Sequence, residues 1–196
     1  MKKTLLSILM LFSMVNASAQ YPDLQGKIVK EIKYSDKTGD NVIVLTQTNK
    51  STKKCEDFGE CSSQDLYAYR YLIEQGSPKK IWQIHDFVHD CGLDMSVDFY
   101  ANLVQLTDLN KNQIKEVWIP YTVACAGDIS AYSKIIMYEN MQKHASRGDP
   151  AICYGENNER IDGEYKMDKA LQQNSSLRKF TRSLWKKISA EHGCKK

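Results

Sequence analysis

The chain has 196 residues, with 27 basic and 24 acidic side chains, a net charge of +3 and six cysteines. A chain of that length makes one ordinary domain and can bury roughly 70% of its unfolded surface. The near-balanced charge gives no footing to nucleic acid or a strongly anionic membrane as principal partner.

The first residues read as an export signal. Lys2 and Lys3 precede an apolar run from Leu5 to Met14, and Ala17-Ser18-Ala19 supplies the small-residue cleavage pattern before Gln20. The run falls short of the ~20 apolar residues that span a bilayer, and no later segment reaches that length either. No cysteine follows the small residues, so a lipid-anchored lipoprotein is not indicated. The expected organisation is a signal peptide over 1–19 and a single disulfide-linked β-rich domain over 20–196. The mature protein would sit in the periplasm, on the outer surface or outside the cell.

Beyond Lys27 the hydrophobic period is mostly two, the signature of strands. Strands are expected at 27–34 and 41–47, joined by the turn "SDKTGD". The next, 66–73, places Tyr67, Tyr69, Tyr71 and Ile73 on one face, and turns through "EQGSPK" into 81–88. Further strands are expected at 97–106, 117–123 and 134–138, with a short one at 163–166. About seven or eight short strands with hairpin-length links imply a mainly β fold of antiparallel sheets. The stretch "ENMQKHASRGDPAICYGENNER" has weak periodicity and several turn formers, so it reads as a long loop pinned by Cys153. Its Arg147-Gly148-Asp149 is too short a motif to carry an adhesion argument.

The period then changes. Ser175 or Ser176 can cap an amphipathic α-helix whose Leu177, Phe180, Leu184 and Ile188 form one stripe, with Gly193 to end it. Arg178, Lys179, Arg182, Lys186 and Lys187 occupy much of the rest. They read as the solvated side of a helix that covers a sheet; the sharper alternative is a surface for an anionic polysaccharide or lipid headgroup.

Six cysteines in an exported chain form a disulfide framework with 15 formal pairings. The favoured set closes the short loop "CEDFGEC" with Cys55–Cys61 and ties the ends of the central hairpin with Cys91–Cys125. Cys153–Cys194 is left by elimination.

Three clusters could carry chemistry. In "DLNKNQIKE", Asp108, Asn110 and Asn112 offer oxygens at the first, third and fifth positions of a calcium-type loop, and Glu116 at the ninth. Gln113 stands where glycine normally makes the turn, and Ile119 at position twelve excludes an EF-hand. The reading left open is between a weak calcium site and a hairpin turn whose Asp and Asn side chains bond their own backbone, with Asn112 adopting the left-handed conformation. His85 and His89 share a strand face, with Asp86, Asp90 and Asp94 nearby, but no third metal ligand stands out. Tyr67, Tyr69 and Tyr71 form a row that either stacks on sugar rings or fills a core. No G-x-S-x-G, H-E-x-x-H or phosphate-binding glycine loop occurs, so no catalytic residue is assigned.

The order of "CGLDMSVDFY", "LTDLNKNQIKEVWIPYTVACAGDIS", "KIIMYEN" and "FTRSLWKKI" resembles a family of small exported proteins of flavobacteria-type Gram-negative bacteria that bears a surface-polysaccharide-biosynthesis label. The likeness runs over about 65–188 and is most specific at 106–129. The loop alone resembles the D-x-D-x-D-G-x-x-[DE] loops of integrin-type propeller repeats. The resemblance implies a link to the surface glycan and an ion loop at Asp108, Asn110, Asn112 and Glu116, which the Gln113 departure weakens; it implies no reaction. The expectation is an exported, non-enzymatic accessory or binding protein linked to cell-surface polysaccharide, with calcium as its one candidate cofactor. A secreted or periplasmic protein-interaction module, adhesin-like or inhibitor-like, is the alternative, and a glycan-active enzyme ranks third.

Overall fold

The computed structural model describes residues 21–126, 131–155 and 159–194. The expected signal peptide lies outside the described residues. Among the described residues thirteen strands and two α-helices follow one another, and every pairing between those strands is antiparallel.

Sheet A is made by the first half of the chain. β1 (Lys27–Asp36) and β2 (Gly39–Gln47) form a hairpin, as do β4 (Gly59–Glu74) and β5 (Ser77–Cys91). β3 (Ser51–Cys55) continues β2 along the same edge of the long β4, which leaves β5 on the other edge. Sheet B is made by the second half. β8 (Glu116–Cys125) pairs on one side with β6 (Met95–Phe99) and β7 (Gln105–Thr107), placed end to end. On its other side come β9 (Ser133–Glu139), β10 (Gln142–Gly148) and β13 (Tyr165–Met167). β11 (Ile152–Tyr154) and β12 (Glu159–Ile161) make a separate small hairpin.

The two sheets pack face to face. Ile43, Leu45, Leu66, Trp82 and Ile84 of sheet A meet Val117, Ile119, Tyr121, Ile136 and Tyr138 of sheet B in one buried cluster. The far face of sheet B is covered by α1 (Lys169–Gln173) and α2 (Ser175–Glu191), whose Leu177, Leu184, Trp185 and Ile188 bury Trp118, Ile135 and Met137. This double cover explains why β8 is buried at nine consecutive residues instead of alternating. Side chains of that kind contribute about 1.5–3 kcal/mol each when fully buried.

Several boundaries differ from the periodicity. The strand expected over 97–106 is broken by a turn at Ala101–Leu103, which packs across Pro120. Pro120 has no N–H to give and stands where β6 ends and β7 has yet to begin; Tyr100 N–H bonds its carbonyl at 3.1 Å. The long loop expected around Cys153 contains β10, β11 and β12. β10 escapes a hydrophobicity reading because its buried residues are Ala145, Ser146 and Gly148, and Ser146 Oγ accepts the Trp185 indole N–H at 2.8 Å. Arg147-Gly148-Asp149 runs through the end of this strand. The α2 cap is Asn174, whose Oδ1 accepts from Ser176 and Leu177 N–H, not Ser175 or Ser176. The three disulfides are Cys55–Cys61, Cys91–Cys125 and Cys153–Cys194, the pattern of an oxidising compartment. No helix among the described residues is long and apolar enough to cross a membrane.

Candidate functional site

The outer face of sheet A carries a continuous row of rings. Period-two spacing on β4 puts Tyr67, Tyr69 and Tyr71 side by side, with stacked centroids about 6 Å apart along the strand. Residues 21–26 lie over them. Tyr21 stacks on Tyr71 at 4.9 Å, Tyr71 Oη donates to the Pro22 carbonyl at 2.9 Å, and Gln25 N–H donates to Tyr69 Oη at 3.1 Å. Tyr67, Tyr69 and Tyr71 are 6%, 0% and 0% exposed. Of the two readings open for this row, sugar stacking or core, these three residues take the core, and burial raises each phenol above its ordinary pKa.

The row continues into the open on β5. His85 stacks on Tyr67 at 4.4 Å and nearly parallel, Phe87 follows at 5.4 Å, and His89 stacks on Phe87 at 4.2 Å. Phe87 is 48% exposed. Beneath these rings lies Asp65 of β4, directly opposite Phe87 in the register. His85 Nε2 meets Asp65 Oδ1 at 2.7 Å and His89 Nε2 meets Oδ2 at 3.3 Å. Burial alone would raise the Asp65 carboxyl, but the hydrogen bonds from His85 and His89 outweigh it and hold the group below the usual carboxylate range. The result is an exposed apolar ring between two imidazoles with a half-covered carboxylate behind them. His85 and His89 thus converge on Asp65, not on Asp86, Asp90 or Asp94. Among the described residues no group of three or more His, Cys, Asp or Glu is placed to hold a metal ion.

The Asp108 loop joins β7 to β8 as a hairpin, with Thr107 opposite Glu116 and Leu106 opposite Val117. Its sixth position, where a calcium-type loop has glycine, keeps a left-handed backbone. Gln113 sits at φ +70° and Lys111 at φ +59°, so the left-handed residues are these two and not Asn112. The candidate donors are mostly engaged. Glu116 is fully buried, and it accepts the Leu109 N–H at 3.0 Å and the Thr107 hydroxyl at 2.6 Å. Asp108 Oδ2 accepts Gln113 N–H, Asn110 Oδ1 accepts Asn112 N–H, and Asn112 Oδ1 accepts Ile114 N–H. Both asparagine amides donate to Glu139 of β9. Of the loop's candidate side-chain oxygens, Asp108 Oδ1 is the one buried without a partner among the described residues. This set fits a self-satisfied hairpin loop; a cation would have to compete with the N–H and hydroxyl donors for all the other oxygens.

Asp65 and Phe87 are the two residues that sequence reasoning passed over. The signal was there, H-x-F-x-H on one strand against D-x-Y on its hairpin partner, but a bulge hides it. The register shifts by one residue between Arg70 and Tyr71. Counting back from the Gln75–Gly76 turn without that shift sets Asp65 opposite Asp86, on the wrong face relative to Phe87. No family model, curated protein or solved structure matches the chain.

Proposed function

We propose that this protein is an exported, non-enzymatic binding protein of the cell envelope that holds surface polysaccharide against the outer face of sheet A. The observation that carries this reading is the exposed Phe87, fixed between the rings of His85 and His89 above the Asp65 carboxylate. A sugar presents an apolar C–H face and a rim of hydroxyls. An aromatic ring on a rigid strand covers the first, and imidazole and carboxylate groups orient the second. Tyr67 and the buried tyrosine row brace the site from one side, so its rings are held in place before any ligand arrives. Rings and hydrogen-bonding groups of this sort bind and orient, which is why the reading is of a binder. Three disulfides suit the same extracellular setting.

The test is affinity electrophoresis of the mature protein through gels cast with polysaccharide from its own envelope. Migration of the parent protein should be retarded, and Phe87→Ala should relieve most of the retardation without changing the melting temperature by more than a degree or two. Equal retardation of parent and Phe87→Ala would remove this face from the binding site.

A further inference from the structure

We infer that the uncovered margin of sheet B's inner face is a second site, which takes a carboxylate-bearing acidic polysaccharide. The register sets Tyr121 of β8 opposite Lys134 of β9, Lys134 opposite Arg147 of β10, and Arg147 opposite Lys166 of β13. Directly opposed residues project from the same face of a sheet. The neighbours confirm which face. Ile135, Met137, Tyr165 and Met167 pack with the helices, so the alternate residues Lys134 and Lys166 point away from them. Lys143, two strand turns along β10 from Arg147 and opposite Tyr138, belongs to the same face.

Four cations therefore crowd one side of three adjacent strands, which lie about 4.8 Å apart. The anion facing them from sheet A is Asp86 of β5. It is already held by Lys134 Nζ at 2.5 Å and by the Tyr121 hydroxyl at 2.9 Å. Asp149 and Glu164 lie past Gly148, at the end of the β10–β13 pairing. Lys143, Arg147 and Lys166 are exposed, and their side chains make no ion pair or hydrogen bond with a described residue. Partial desolvation against the sheet, then Arg147 and Lys134, hold the Lys143 ammonium below its ordinary pKa although the residue is exposed as a whole, and Asp86 acts against this.

Like charges placed directly opposite one another on neighbouring strands destabilise a sheet. The folded protein carries such a row on a chain whose total charge is close to balance, so this face has a local excess of positive charge. Tyr121, Tyr138 and Ala145 beside it are buried, which gives the cations a low-dielectric backing and strengthens their field. The row crosses the strands at intervals close to the length of one pyranose unit, so it matches a linear chain with one carboxylate per sugar. The choice of a glycan over other polyanions rests on the polysaccharide reading above; the site itself lies on the other sheet and does not involve Phe87.

The experiment uses the mature protein with polygalacturonate, neutral dextran and phosphatidylglycerol vesicles as probes, at low and at raised NaCl. The parent protein should bind polygalacturonate, lose it as salt is raised, and ignore dextran at this site. Arg147→Gln combined with Lys166→Gln should weaken polygalacturonate binding at least tenfold while raising the melting temperature at low salt, because the repulsion is relieved. Phe87→Ala should leave polygalacturonate binding intact, so failure of the sheet A site and failure of this one are read separately. Unchanged polygalacturonate affinity in the double variant overturns the inference. So does a parent protein that binds no polygalacturonate, or one that uses these residues only on the vesicles.

Discussion

At the scale of single residues, the Asp108 loop shows a backbone form kept without the residue that suits it best. Gln113 holds φ +70°, where a side chain costs about 1 kcal/mol relative to glycine, and its carbonyl accepts the Lys37 N–H at 2.8 Å. Lys115 N–H in turn bonds Asp36 Oδ2 at 3.0 Å, so the loop is docked on the β1–β2 turn from both sides. Gln113→Gly should therefore raise stability by about 0.5–1 kcal/mol, the relief of strain being partly offset by a more flexible unfolded chain. Urea unfolding would show it as a higher midpoint with an unchanged slope, and a lower midpoint would mean that the side chain matters more than its φ. Calorimetric titration of the parent protein with calcium should return a dissociation constant on the order of 10⁻⁴ M or weaker, since every candidate side-chain oxygen except Asp108 Oδ1 already accepts a hydrogen bond. A submicromolar constant lost in Asp108→Ala would reverse that view.

At the scale of elements, α2 is tied down most firmly at its C-terminal end. Gly193, at φ +84°, turns the chain out of the helix, Cys153 N–H bonds the His192 carbonyl at 3.0 Å, and Cys194 is linked to Cys153. His192 Nε2 lies 2.7 Å from the Tyr100 hydroxyl, which also reaches Ser133. Burial pushes the His192 imidazole below its ordinary value of 6.5, although the Glu191 charge acts the other way. The folded state then binds this proton less readily than the unfolded state. Its contribution is complete above pH 6.5 and is lost as the pH falls through the interval below that value. Unfolding free energy measured between pH 7 and pH 5 should decline, and His192→Gln should flatten the decline while leaving the Asp65-linked loss at lower pH. A variant with the parent slope would place the titrating group elsewhere.

At the scale of the whole molecule, the two sheets are joined by more than apolar contact. Arg70 sits on the inner face of β4 and is 2% exposed. Its guanidinium donates to Asn41 Oδ1 at 3.0 Å, to Thr38 Oγ1 at 2.7 Å and to the Asn140 carbonyl of the β9–β10 turn at 3.1 Å. Asp36, with Thr38 and Lys115 N–H as its donors, completes the cluster, and its carboxyl is held below the usual range against the effect of burial. Arg70→Ala would strand these acceptors and should cost about 3 kcal/mol or more, well above a typical surface substitution. Chemical denaturation would measure it; a loss under 1 kcal/mol would mean water takes over the bonds. The disulfides act at the same scale. In the chain-entropy account Cys55–Cys61 contributes about 2 kcal/mol and each of the two long links nearer 4. Non-reducing peptide mapping should recover all three links and no free thiol, and Cys153→Ser with Cys194→Ser should lower stability more than the corresponding change at Cys55 and Cys61.

What the sequence determined by itself was local and periodic. Alternation on 66–73 put the tyrosines on one face, the change to a 3.6-residue period marked α2, and the loop between 106 and 117 was short enough to close only as a hairpin. The even cysteine count and the small Cys55–Cys61 loop led to the pairing that the structure has. Tertiary structure decided everything that depends on which strand lies beside which, and in what register. A bulge one residue long moves every later side chain of β5 relative to β4, and this alone brings Asp65 under Phe87. Covering depends on the same long-range information: the tyrosine row became core because residues 21–26 fold over it, and the equally regular His85, Phe87 and His89 stayed open because nothing among the described residues does. The cation row of Lys134, Arg147 and Lys166 is spread over three separate strands, so it has no signature in the linear chain and exists only once β9, β10 and β13 are paired.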